Sequence, residues 1–148
     1  INRITPMLEL ANRKCVIISD ADVPAKERQK KYKNDRGYGE WKRYDEINST
    51  LDVITGEDFI KEAKLTLSVE KIKNRLSITT NPNFSGNKGK IHNLRAWLTR
   101  ARISNEDQNT IIKRIKEEIF DDLKIADIEE KYFDFLKSFK DFLKTKQF

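Results

Sequence analysis

Cysteine is nearly absent from this chain. Cys15 is the only one, which excludes a disulfide framework within the chain and fits a thiol buried in a reducing, cytoplasmic setting. Histidine is equally scarce: His92 stands alone beside Ile91 and Leu94, a place for a packed or surface residue rather than the seed of a zinc site. No apolar run approaches the roughly 20 residues needed to span a bilayer, and no charged-then-apolar leader opens the sequence, so no membrane partner is expected. Glycine-rich phosphate loops are missing too, which excludes nucleotide binding by that route. Internal repeats and low-complexity tracts are also lacking.

What remains is a chain of 148 residues, enough for one domain with a real core. Hydrophobic residues make up 37% and charged residues 36%, so a charge-dense surface coexists with segments of clear apolar periodicity. Thirty Lys and Arg against 24 Asp and Glu leave a formal charge of +6, which favours an anionic partner without naming it. The chain opens on Ile1 with no preamble before its first helical pattern, and is expected to be a piece of a longer protein.

The pattern predicts a helix over 3–12, then a strand over Cys15 to Ser19, whose β-branched run suits a parallel sheet covered on both faces. An exposed basic helix is expected over Pro24 to Lys33, and a loop from Gly37 to Asn48 anchored by Trp41. Thr50 to Thr55 alternates as a second strand, followed by a helix over 57–65 and another beginning at Ser68. Thr79 to Gly89 reads as a loop. A helix follows from Ile91, and Ser104 caps the next one with Asp107 in the place of the usual Glu. Ile111, Ile115 and Ile119 form one stripe, and Ile128 to Leu143 forms another that is rich in phenylalanine. The expected organisation is a partial α/β domain over 1–103, a small parallel sheet flanked by helices, with a helical hairpin over 104–148.

The chemistry is concentrated at the strand ends. Val16-Ile17-Ile18-Ser19 runs straight into Asp20 and Asp22, and carboxylates two apart on extended backbone leave on the same side. Like charges held so close raise one pKa unless a cation relieves them, and a hard divalent ion with oxygen ligands does so. The plainer account is that Asp20 caps the next helix and Asp22 faces water. A second acidic pair, Glu57-Asp58, follows the second expected strand.

VIISDAD followed by LDVITGEDF resembles the acidic motifs of a TOPRIM domain, and more narrowly the carboxyl-terminal TOPRIM of overcoming-lysogenization-defect (OLD) family ATP-dependent nucleases. The resemblance covers about residues 13 to 65. It implies a metal-dependent DNA endonuclease of bacterial and phage defence, with an ATPase module in the same longer chain, a homo-oligomeric assembly and Mg²⁺ or Mn²⁺, two ions, as cofactor. The metal ligands it implies are Asp20, Asp22, Glu57 and Asp58, with Asp20, Asp22 and Glu57 also catalytic and Lys88 or Lys90 assisting at the phosphate. The family's first motif, a glutamate ending an earlier strand, has no counterpart before Val16, since Glu9 falls within a helical pattern. Either it lies upstream or the site is degenerate, a non-catalytic scaffold that engages a partner through its last helices.

Lys88, Lys90, Arg95, Arg100 and Arg102 form a basic stretch suited to a nucleic-acid backbone, or equally to a solvated helix face. A haloacid-dehalogenase-like phosphatase also starts with a strand and Asp-x-Asp. That pattern requires Thr or Val where Pro24 stands, and no later acidic metal motif follows. A receiver domain fits the order of acids and helices less well still.

Overall fold

The computed structural model describes residues 4–86 and 88–146. Arg3 of the expected first helix, Asn87 of the expected loop, and Gln147 and Phe148 at the end lie outside the described residues. The class is mixed α/β, mostly helical, with one two-stranded parallel sheet. The chain forms two compact units, Ile1–Ile54 with Phe133–Phe148, and Thr55–Tyr132. Among the described residues no helix is long and apolar enough to cross a membrane.

The first unit opens with helix α1 (Thr5–Leu10), with Pro6 in its first turn, where the missing N–H costs nothing. Strand β1 (Val16–Ser19) follows, then helix α2 (Val23–Asn34), strand β2 (Glu40–Arg43) and the single turn α3 (Tyr44–Ile47). The strands pair in parallel, Val16 opposite Glu40 and Ser19 opposite Arg43. All four β1 residues, and Cys15 before them, are only half-buried, because a sheet of two strands offers little surface for cover on both faces.

β2 occupies the stretch expected to be a loop. Its residues, Glu-Trp-Lys-Arg, carry no strand alternation, and Trp41 alone among them is buried. Trp41 packs edge to face on Tyr32 with centroids 5.2 Å apart, donates from Nε1 to Ser19 Oγ at 2.8 Å, and accepts from Gln29 Nε2 at its carbonyl at 2.8 Å. Gly39 enters the strand at φ +87°, and a Cβ there would lie 2.5 Å from the Cys15 carbonyl oxygen, so the close approach of the two strands requires glycine.

Thr50 to Thr55 is not a strand, contrary to its alternation. The Asn48 side chain accepts from Thr50 N at 3.0 Å and from Thr50 Oγ1 at 2.7 Å, and Val53 N bonds to Leu51 O at 2.9 Å. These local bonds take Thr50 N, Val53 N and Leu51 O, three backbone groups a ladder would use. One link to the neighbourhood of β1 remains, from Ala21 N to Ile54 O at 2.7 Å.

The second unit contains a 3-10 turn (Gly56–Phe59), helices α4 (Glu62–Leu76), α5 (Lys90–Arg100) and α6 (Asn105–Asp121), and a second 3-10 turn (Ile125–Asp127). α4 is one continuous helix where two were expected, because Leu65, Val69 and Ile72 share a single stripe. That stripe meets Leu94, Trp97 and Leu98 of α5, and Ile111, Ile112, Ile115 and Ile119 of α6. Ser104 caps α6 as its sequence indicates, accepting from Asp107 N at 3.2 Å. The loop before α5 is fastened by Phe84, which is buried, and by Trp97 Nε1, which donates to Thr80 O at 3.0 Å.

Helix α7 (Glu130–Thr145) carries the division between the units. Its larger part belongs with the first unit: Phe135 meets Tyr44 edge to face at 5.2 Å, Asn48 Nδ2 donates to Ser138 Oγ at 2.8 Å, and Lys146, just beyond the helix, pairs with Glu40 at 2.7 Å. From sequence alone the bounds are set at 1–103, with a helical hairpin over 104–148. α6 packs on α4 and α5, while Phe133–Phe148 group with the first 54 residues.

Ile115 is fully buried and Leu67 is 64% exposed. Ile115→Ala is expected to lower the stability of the second unit by roughly 2–5 kcal/mol in urea denaturation. Leu67→Ala should stay within about 0.5 kcal/mol, and equal effects would contradict the core described above.

Candidate functional site

The first acidic pair sits at the carboxyl edge of the sheet. Asp20 is the residue beyond Ser19, and Ser19 stands opposite Arg43 in register. Ala21 is buried, and Asp22 holds an extended backbone at φ −72°, ψ 169°. Its Oδ1 accepts from Ala25 N at 2.8 Å, making Asp22 the N-cap of α2. The capping role thus falls to Asp22 rather than Asp20. Asp22 fills it with one oxygen, and its charge lies at the positive end of the helix dipole.

The partner strand ends in a cation that sequence reasoning missed. Arg43 grips Asp45 with Nε at 3.0 Å and Nη2 at 3.2 Å, and its Nη1 lies 3.4 Å from Glu46 Oε2 and bonds to Gln29 Oε1. Glu46 Oε2 also accepts from Arg43 N at 2.9 Å and from Gln29 Nε2 at 2.5 Å. Burial opposes the charge on Glu46, yet the hydrogen bonds from Arg43 N and Gln29, with the charges of Arg43 and Lys33, hold its pKa below the ordinary value. Gln29 is almost wholly buried within a helix that reads as solvated, and its bonds to Arg43, Glu46 and the Trp41 carbonyl explain that burial.

Glu57 and Asp58 belong to the second unit and are both buried. Asp58 Oδ2 accepts from Thr55 N at 2.9 Å, and its Oδ1 accepts from Lys90 N at 2.7 Å. One carboxylate therefore caps both the Gly56–Phe59 turn and the start of α5. Glu57 pairs with Lys116 at 2.8 Å. Thr55 Oγ1 is buried without a hydrogen-bond partner among the described residues.

Lys90 is turned inward. Its Nζ donates to Asp58 O at 3.1 Å, to Ile60 O and to Glu129 Oε1 at 3.2 Å, and burial pushes its pKa below the usual lysine value despite the Glu129 partner. Lys88 is exposed. Arg95 bonds to Asn109 Oδ1 at 2.9 Å, and Arg100 and Arg102 are exposed at the end of α5. Of the basic set, Lys88, Arg100 and Arg102 present charge to solvent and Lys90 does not.

The acids divide into two kinds by donor chemistry. Asp22 commits one carboxylate oxygen to its cap bond, and carboxylate oxygen is the donor type a hard divalent ion takes. Glu57 and Asp58 do not fit that role, since amides and a lysine take their oxygens. Among the described residues no three His, Cys, Asp or Glu side chains form a metal-holding group.

The lowered pKa of Glu46 sets a pH dependence. A folded carboxyl pKa below the unfolded one gives stability that is complete above the ordinary glutamate range and disappears as pH falls through the lowered value. Urea denaturation of the native chain is expected to show that acid loss, and Glu46→Gln should show less of it with lower stability at neutral pH. Identical acid limbs in both proteins would remove Glu46 from that role.

Compared with protein-family models, with curated proteins and with solved structures, the chain finds no match.

Proposed function

We propose that this chain is the TOPRIM-like part of a divalent-metal-dependent DNA endonuclease that works in the cytoplasm with an ATPase module of a longer protein in bacterial or phage defence. The observation that supports the reading best is a parallel strand that runs straight into Asp20 and Asp22 before a crossover helix. The carboxyl edge of parallel strands is the usual place for ligands in α/β folds.

Asp20 and Asp22 are the residues that would hold Mg²⁺ or Mn²⁺, which when bound lowers the pKa of a water and supplies a nucleophile for phosphodiester hydrolysis. The rest falls to the chain itself. The cap bond to Ala25 N holds the Asp22 side chain through one oxygen before any ligand arrives, which reduces the rotamer freedom lost on binding. Arg43 ends the neighbouring strand, tied to Asp45 and Glu46. Lys88, Arg100 and Arg102 are free to meet phosphates, whereas Lys90 holds the start of α5 to the turn before α4.

A second reading is favoured by one observation: Asp58 has both oxygens engaged by backbone amides, as in a degenerate, non-catalytic scaffold. On that reading the partner surface is α7, where Phe133 and Leu136 are more than a third exposed.

Asp22→Asn separates the two, because asparagine caps a helix as well as aspartate does but carries no charge. Calorimetric titration of Mn²⁺ should show binding to the native chain, weakened by about tenfold or more in Asp20→Asn/Asp22→Asn, with thermal stability nearly unchanged. Plasmid nicking should fall in parallel. No Mn²⁺ binding to the native chain would sink the nuclease reading and leave the scaffold.

A further inference from the structure

The first unit also holds a cleft of about 800 Å³ at the other edge of the sheet. It lies beside Gly37 and Tyr38, which are separated from the start of β2 by Gly39, so it opens at the amino edge while Asp20 and Asp22 leave from the carboxyl edge. Its volume falls within the range of sites that take a small organic ligand.

The walls come from three sources, of which Ile4, Thr5 and Pro6 at the start of α1 are one. Tyr32 and Trp41, each only 7% exposed, close the floor, set by their edge-to-face contact and by the Tyr32 hydroxyl, which donates to Tyr38 O at 2.5 Å. Tyr38 is half-buried on one side, its hydroxyl donating to Arg13 O at 2.8 Å. Arg28 and Lys31 then line the cleft from α2, three residues apart and so on one helix face. Both are exposed, and among the described residues neither has an ion pair or side-chain hydrogen bond. Asp35 is the one acid in the lining.

Planar apolar surface next to two unpaired cations matches a ligand that is itself half flat ring and half anion. We infer that this cleft binds a nucleotide, its base against the aromatic wall and its phosphate on Arg28 and Lys31. The nucleotide is either free or one unit of a single strand. Around the cleft α2 continues with Lys26 and Lys30 against Glu27, which extends the positive field along the helix, while Lys33 pairs with Glu46 at 4.0 Å. The inference does not depend on the aspartates, since it needs no metal.

The test is fluorescence anisotropy of a labelled oligothymidylate of about 12 nucleotides in EDTA, with adenosine monophosphate as competitor. Arg28→Glu/Lys31→Glu is expected to weaken binding by about tenfold or more, while Lys26→Glu/Lys30→Glu, the same charge change outside the cleft, costs less than about threefold. Displacement by the mononucleotide assigns the site to free nucleotides, and binding of the strand without such displacement assigns it to a strand unit. Equal losses in the two variants would reduce the effect to diffuse charge and overturn the cleft, as would no binding of either probe to the native chain. Because EDTA removes divalent ions, failure here is distinct from failure of the metal reading.

Discussion

Two parallel strands cannot be joined by a tight turn, because the chain leaving the first must travel back along the sheet before it can start the second. In this protein α2 makes that journey, and most of what is distinctive about the first unit follows from it. The helix needs a cap where β1 ends, and Asp22 provides one. It needs to lie close to the sheet although it is charged nearly all round, and Gln29 and Tyr32 do that work through Trp41 and Arg43. The same crossing separates two polar environments, acids at the carboxyl edge and an aromatic, basic cleft at the amino edge.

The legible parts of the sequence were those in which a single periodicity decides the outcome. Ile111, Ile115 and Ile119 behind the Ser104 cap could be read directly, since stripe and cap agree. β1 was legible from its β-branched run. β2 was not, because Glu40, Lys42 and Arg43 mask the one buried residue between them, and strand formation there depends on a partner more than 20 residues earlier. The 50–55 segment misled for the converse reason: its alternation is real, but the Asn48 side chain captures the backbone first.

The candidate site shows the same limit in its chemistry. A sequence lists carboxylates but does not say what their oxygens are already doing. Asp20-x-Asp22 and Glu57-Asp58 look alike on paper, yet in the structure one oxygen of Asp22 is committed to a cap, whereas both oxygens of Asp58 are. The Gln29, Arg43 and Glu46 cluster had only a weak local signal, the three-residue spacing of Arg43 and Glu46. Its decisive member comes from a helix 14 and 17 residues away in sequence.

Gly39 carries a consequence for how the strands find each other. A side chain at that position would collide with the Cys15 carbonyl, so sliding β2 by one residue would bring Tyr38 or Glu40 to a place where neither fits. The same slip would turn Trp41 to the opposite face of the sheet. In a sheet of only two short strands, where few ladder bonds exist to choose between alignments, a missing Cβ serves as the alignment key, and it does so by exclusion rather than by attraction.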